Sequence, residues 1–142
     1  MNRRLFAQAS ALAALAVFVP AAFAQTAAAR NRIVIQMSDN DPVKWNLALN
    51  NAKNLQDDVG AANIDMEIVA YGPGINMLKL ESSVASRVAD AMKAGVKVIA
   101  CENTMRGQKL TKDDMTAGIS YVPAGVTEIM KKQVEGWAYL RP

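Results

Sequence analysis

From residue 31 onward the chain alternates between two hydrophobic periods. Ile33-Val34-Ile35-Gln36-Met37 is an apolar run of strand length. Asp39-Asn40-Asp41-Pro42 interrupts it, with Asp41 suited to cap a helix and Pro42 to its first position. Ala48, Ala52, Leu55 and Val59 then recur at helical spacing until Gly60, which predicts a helix over 42–59. Ile64, Met66 and Ile68 alternate with Asp65 and Glu67, the period of a half-exposed strand. Tyr71-Gly72-Pro73-Gly74 turns the chain, and Ser83 is placed to cap a second helix that Gly95 ends, with Val84, Val88, Ala91 and Met92 inward. Val96 to Cys101 is a third strand, followed by a short helix capped at Asn103 and a capping-box pattern at Thr111-Lys112-Asp113-Asp114. Ile119 to Val122 predicts a fourth strand, Val126 onward a last helix ending at Gly136, and Trp137 to Leu140 a closing strand.

Strands separated by helices imply right-handed crossovers and a mainly parallel sheet covered on both faces. The expected fold is therefore α/β: a flavodoxin-like (Rossmann-like) three-layer sandwich around a five-stranded sheet. The charges of Asp65 and Glu67 assign the second strand to an edge and the more apolar first and third to the interior, which matches the order 2-1-3-4-5, although the same elements allow other orders.

The first 24 residues follow neither period. Arg3 and Arg4 precede an apolar run from Ala11 to Ala24, and Ala22-Phe23-Ala24 is a small-x-small cleavage pattern. A run this short, broken by Pro20, falls below the roughly 20 apolar residues of a spanning helix. The division is thus 1–24 a signal peptide, 25–31 a flexible leader and 32–142 one domain. The mature protein is expected in the periplasm with no membrane association, by the general or the twin-arginine route. Without Arg3 and Arg4, 14 basic residues face 13 acidic ones, and no dense basic patch offers a nucleic-acid surface.

The chain has no histidine, which removes Ser-His-Asp and Cys-His catalysis and imidazole metal sites. It has one cysteine, Cys101, so no intrachain disulfide can form. Cys101 ends a central strand on the rim where α/β sheets bind ligands, next to Cys101-Glu102-Asn103-Thr104 and, in the expected strand order, across from Ser38-Asp39-Asn40-Asp41. A following helix start and Arg106 would favour a thiolate, while Asp39 and Glu102 would oppose it. A space-filling cysteine at a strand end is the competing reading. Gly72 and Gly74 could present backbone amides to an anion or only reverse the chain, and the Lys-Ser/Thr ending of a phosphate loop is missing. Cys101, Met105 and Met115 could serve as soft Cu(I) ligands, although the methionines are as readily explained by core packing. No cofactor and no metal is expected.

Val96-Lys97-Val98-Ile99-Ala100-Cys101-Glu102-Asn103-Thr104-Met105, Val69-Ala70-Tyr71-Gly72-Pro73-Gly74-Ile75 and Val122-Pro123-Ala124-Gly125-Val126 occur in that register with one another. Together they resemble the DsrE/DsrF-like family, in particular its small exported branch, over about 31–140. The resemblance implies a flavodoxin-like domain that forms homo-oligomers, trimers or hexamers, and a cysteine at the position of Cys101 that carries a persulfide between a sulfur donor and an acceptor. It makes Cys101 the catalytic candidate, and position on the same rim adds Asn103, Thr104, Gly72, Gly74 and Asn40 as substrate-binding candidates. Many exported relatives carry a histidine where this chain has Tyr71, which keeps open a non-catalytic oligomeric module that binds a ligand or protein at the same rim.

Overall fold

A computed structural model describes residues 29–142; the expected signal peptide and most of the expected leader lie outside the described residues. Five strands alternate with helices: β1 Asn31–Met37, α1 Pro42–Val59, β2 Ile64–Ala70, α2 Ala85–Lys93, β3 Lys97–Cys101, α3 Glu102–Gly107, β4 Ser120–Val122, α4 Gly125–Val134 and β5 Ala138–Leu140. Local chemistry sets several boundaries as expected. Asp41 caps α1, its Oδ1 accepting from the Val43 amide at 2.8 Å, with Pro42 at the first position and Gly60 at φ +87° after its end. Others differ: α2 begins at Ala85 with Val84 at its cap position and no side-chain cap, and the Ser82 hydroxyl, not Ser83, accepts from the Val84 amide. The Gly72-Pro73-Gly74 turn is the start of a 3-10 helix, Gly72–Leu78.

All strand pairs are parallel, and the order is β4-β3-β2-β1-β5. The expected order 2-1-3-4-5 is therefore incorrect, and so is the edge position of the second strand. β2 is the middle strand, with Ile68, Val69 and Ala70 at 0% exposure. Its charges are tolerated there because each has a partner. Asp65 pairs with Arg30 at 2.9 Å near the open end of the sheet, and buried Glu67 lies 3.3 Å from Lys97 and 3.5 Å from Lys132. The edges are instead the three-residue strands β4 and β5, whose shortness limits pairing with other chains.

This order distributes the helices. From β1 to β4 the chain steps across the sheet in one direction, so right-handed crossovers put α1 and α2 on one face, over a large core that includes Ile35, Met37, Ile68, Val98, Trp45 and Leu49. Between β4 and β5 it returns across the whole sheet, and the same handedness places α4 on the opposite face. There a small core of Val34, Val69, Ile99 and Ile129 forms, flanked by Tyr71, Val122 and Trp137.

Candidate functional site

Cys101 is the last residue of β3 and occupies the cap position of α3. Asn103, expected as the cap, is one residue inside that helix. Strand alternation puts Lys97, Ile99 and Cys101 on the α4 face, and the start of α4 lies directly over the cysteine. A Cβ added to Gly125, the first residue of α4, would lie 3.1 Å from Tyr71 Cβ, 3.2 Å from Val69 Cγ1 and 3.3 Å from Cys101 Cβ. Contacts this tight favour glycine, since a methyl would fit only if its neighbours gave by a few tenths of an ångström. The consequence is burial: Cys101 is 5% exposed, where a partly open rim was expected.

Polar N–H and O–H groups surround the sulfur. Burial alone would push the Cys101 thiol up, but the Thr104 hydroxyl and the amides of Gly125, Thr104 and Asn103 outweigh it and hold the thiol below its usual range. The hydroxyl is oriented from behind, because Thr104 Oγ1 accepts from the Gly72 amide at 2.9 Å. With that lone pair engaged, the Thr104 proton is left for the sulfur. The Asn103 amide donates to Pro123 O at 3.1 Å, which draws it away from the sulfur. The arrangement favours an anionic sulfur at the starts of two helices.

The structure joins some of the expected residues and separates others. Thr104 and Gly72 belong to the cysteine site. The side chain of Asn103 is exposed and accepts a hydrogen bond from Arg106, which is thereby directed along α3. Gly74 is buried against the end of β1, where an added Cβ would meet Met37 O at 2.3 Å. Asn40 is exposed after β1, and because β2 lies between β1 and β3, the expected crevice between the Ser38–Asp41 segment and Cys101 does not form. Asp39 lies there with Lys44 at 3.2 Å and Arg141 at 3.5 Å. Gly125 was absent from the expected site. Its signal was a glycine on the first turn of a helix, at a position with no need for left-handed backbone.

Met105 and Met115 pack in the larger core, whereas the Cys101 Cβ adjoins Val69 and Gly125 on the other face, so the three are not gathered as soft ligands. Among the described residues no group of three or more Cys, Asp or Glu could hold a metal ion. None of their helices is long and apolar enough to cross a membrane. Two surface grooves, one between α1 and α2 and one between α1 and β5, are not lined by Cys101 or its neighbours.

Known structures share this architecture. MTH1491 of Methanobacterium thermoautotrophicum, a protein of unknown function, is 35% identical, with a TM-score of 0.75 over 79% of this chain and 99% of its own. BT1422 of Bacteroides thetaiotaomicron (12% identity, TM-score 0.66, 79% and 95% of the two chains) and ychN protein of E. coli (11%, 0.64, 80% and 99%) share the fold. No curated protein matches the chain. The DsrE/DsrF-like family matches residues 22–142, the whole of the folded domain, and the chain belongs to that family.

Proposed function

We propose that this protein handles sulfur through Cys101, as a thiolate that accepts and passes on a sulfane sulfur. What carries the reading is one buried thiol roofed by the start of α4 and held below its usual range by polar neighbours, the Thr104 hydroxyl fixed by Gly72 foremost. In the forward step, the Cys101 thiolate attacks the outer sulfur of a donor persulfide. A new S–S bond forms to Cys101, the donor's S–S bond breaks, and the donor leaves as its thiolate with the proton kept on the transferred sulfur. In the return step an acceptor thiolate attacks that outer sulfur and Cys101 leaves. Stabilising the thiolate helps it attack and helps it leave, and no oxidant is consumed. The same reading takes the mature domain to be exported to the periplasm and to work as a homo-oligomer.

One observation favours a second reading. The 5% exposure of Cys101 suits a cysteine with a packing role in a non-catalytic oligomeric module that binds its partner elsewhere on the rim. Intact-mass measurement after incubation with a small persulfide donor separates the two. The sulfur reading expects a gain of about 32 Da, one sulfur atom, that is reversed by reductant and absent in Cys101→Ser. A wild-type chain that stays unmodified while folded, with Cys101→Ser clearly less stable, would overturn it in favour of the packing role.

A further inference from the structure

The α4 helix touches the sheet at three points. Its inward residues Gly125, Ile129 and Lys132 are spaced at i, i+4 and i+7, and they meet Cys101, the Val34-Val69-Ile99 cluster and Glu67 in turn. Helix and strands run in opposite directions, so the cysteine lies under one end of α4 and the ion pair under the other, about 10 Å along the helix axis. The apolar contact between these ends is small, with Ile129 the only α4 side chain in that core. The outward ridge of α4, Val126, Met130 and Val134, is 56–82% exposed and contributes nothing to holding the helix down.

The far end is therefore where the helix is secured. Glu67 is 3% exposed, and Lys132 lies 3.5 Å from its Oε1 while also reaching Glu128 and Glu135 of α4 at 3.8 and 3.5 Å. Lys97 of β3 approaches the same Oε1 from the sheet at 3.3 Å. The Lys132 ammonium further lies 4.6 Å from the centre of the Trp137 ring, in the segment leading to β5. Lys132 is the cation that links α4 to this centre, and its removal would leave the Glu67 carboxylate buried with Lys97 alone.

We propose that α4 is both the cover and the tuning element of Cys101, and that Lys132 is a positioning residue that acts on the sulfur by neutralising the buried charge of Glu67 and so keeping this helix seated. This deepens the sulfur-handling reading, on which its use depends. A seated α4 supplies the Gly125 amide to the sulfur and shuts out solvent. A lifted α4 withdraws the amide and opens the path. Acidity and access thus move in opposite directions, which a change confined to the sulfur's immediate partners would not produce.

The test is the rate of alkylation of Cys101 by iodoacetamide as a function of pH, in the full mature chain. Lys132→Met is expected to react about threefold to tenfold more slowly than wild type near pH 7, because the thiolate fraction falls, yet faster at the high-pH plateau, because the cover is loosened. The two curves should cross. Gly125→Ala, whose methyl crowds the start of α4 against Tyr71, Val69 and Cys101 at 3.1–3.3 Å, should shift the profile in the same crossed sense. The double variant Glu67→Gln with Lys132→Met removes both charges and should return both limbs toward wild type, and it serves equally where Lys132→Met alone fails to fold. A Lys132→Met profile superimposable on wild type, a shift of one limb alone, or a double variant that keeps the crossed profile would each overturn the proposal. None of these measurements involves sulfur transfer, so loss of persulfide acceptance would count against the proposed function and leave this linkage standing.

Discussion

The amide of Gly72, just beyond β2, donates to Thr104 Oγ1 on α3 at 2.9 Å, across the gap between two neighbouring strand ends. The bond does more than join two loops. It takes up an acceptor site of a hydroxyl that would otherwise rotate freely, and it leaves the hydroxyl proton for the Cys101 sulfur. A residue with no contact to the sulfur in this way sets the direction of one that has it.

Thr104→Val preserves the shape of the side chain and removes that proton. The thiol of this variant is expected to ionise at higher pH, with alkylation near pH 7 lowered about threefold to tenfold and the high-pH plateau unchanged, since α4 still covers the site. Leaving the Gly72 amide without a partner should cost about 1 kcal/mol of stability by denaturant titration. An unchanged alkylation profile would remove Thr104 from the site.

Glu67 predicts an unusual response to acid. Burial pushes its carboxyl above 4.5, with Lys97 and Lys132 pulling it back only in part. The folded chain therefore takes up this proton at a higher pH than the unfolded chain does. Acidification from neutrality toward about 4.5 relieves the cost of burying the charge, and the wild type should gain stability relative to Glu67→Gln over that window. Melting midpoints of the two proteins across this range check the sign. A gap that moves in favour of Glu67→Gln as the pH falls would show that the paired carboxylate is favoured by the fold.

Gly74→Ala should be severe although the backbone there has no positive φ. An added Cβ would meet Met37 O at 2.3 Å, Met37 C at 2.7 Å and Ser38 Cα at 2.9 Å, all main-chain atoms that cannot rotate away. The expected loss is about 2–4 kcal/mol, seen as a lowered midpoint or as insoluble protein. By contrast, Gly107→Ala has open space around the new methyl and should be nearly neutral.

The hydrophobic pattern made the elements readable, down to the Asp41 and Pro42 start of α1 and the placement of Cys101 at a strand end. It could not reveal their order. Charge on one face of a strand ordinarily indicates solvent, and only the meeting of Glu67 with Lys97, thirty residues on, and Lys132, on the far crossover, shows why this strand is central. The site was readable in the same partial way. Cys101 and Thr104 are three residues apart, one helical turn, and were visible together. Gly125 contributes space and an amide rather than a side chain, so its one signal was a glycine on the first turn of a helix. The burial of Cys101 followed from that same hidden contact.

The return crossover from β4 to β5 also has a consequence in time. A ribosome delivers the chain from its N-terminus, and Cys101, Thr104 and Gly72 all emerge before the residue that covers the sulfur. A nascent or truncated chain ending before Gly125 holds the thiol with three of its partners in sequence but without its roof, and without the strand that closes the sheet beside β1. The cysteine acquires its guarded, acidified state only with the last eighteen residues, so translation itself separates the making of this thiol from its arming.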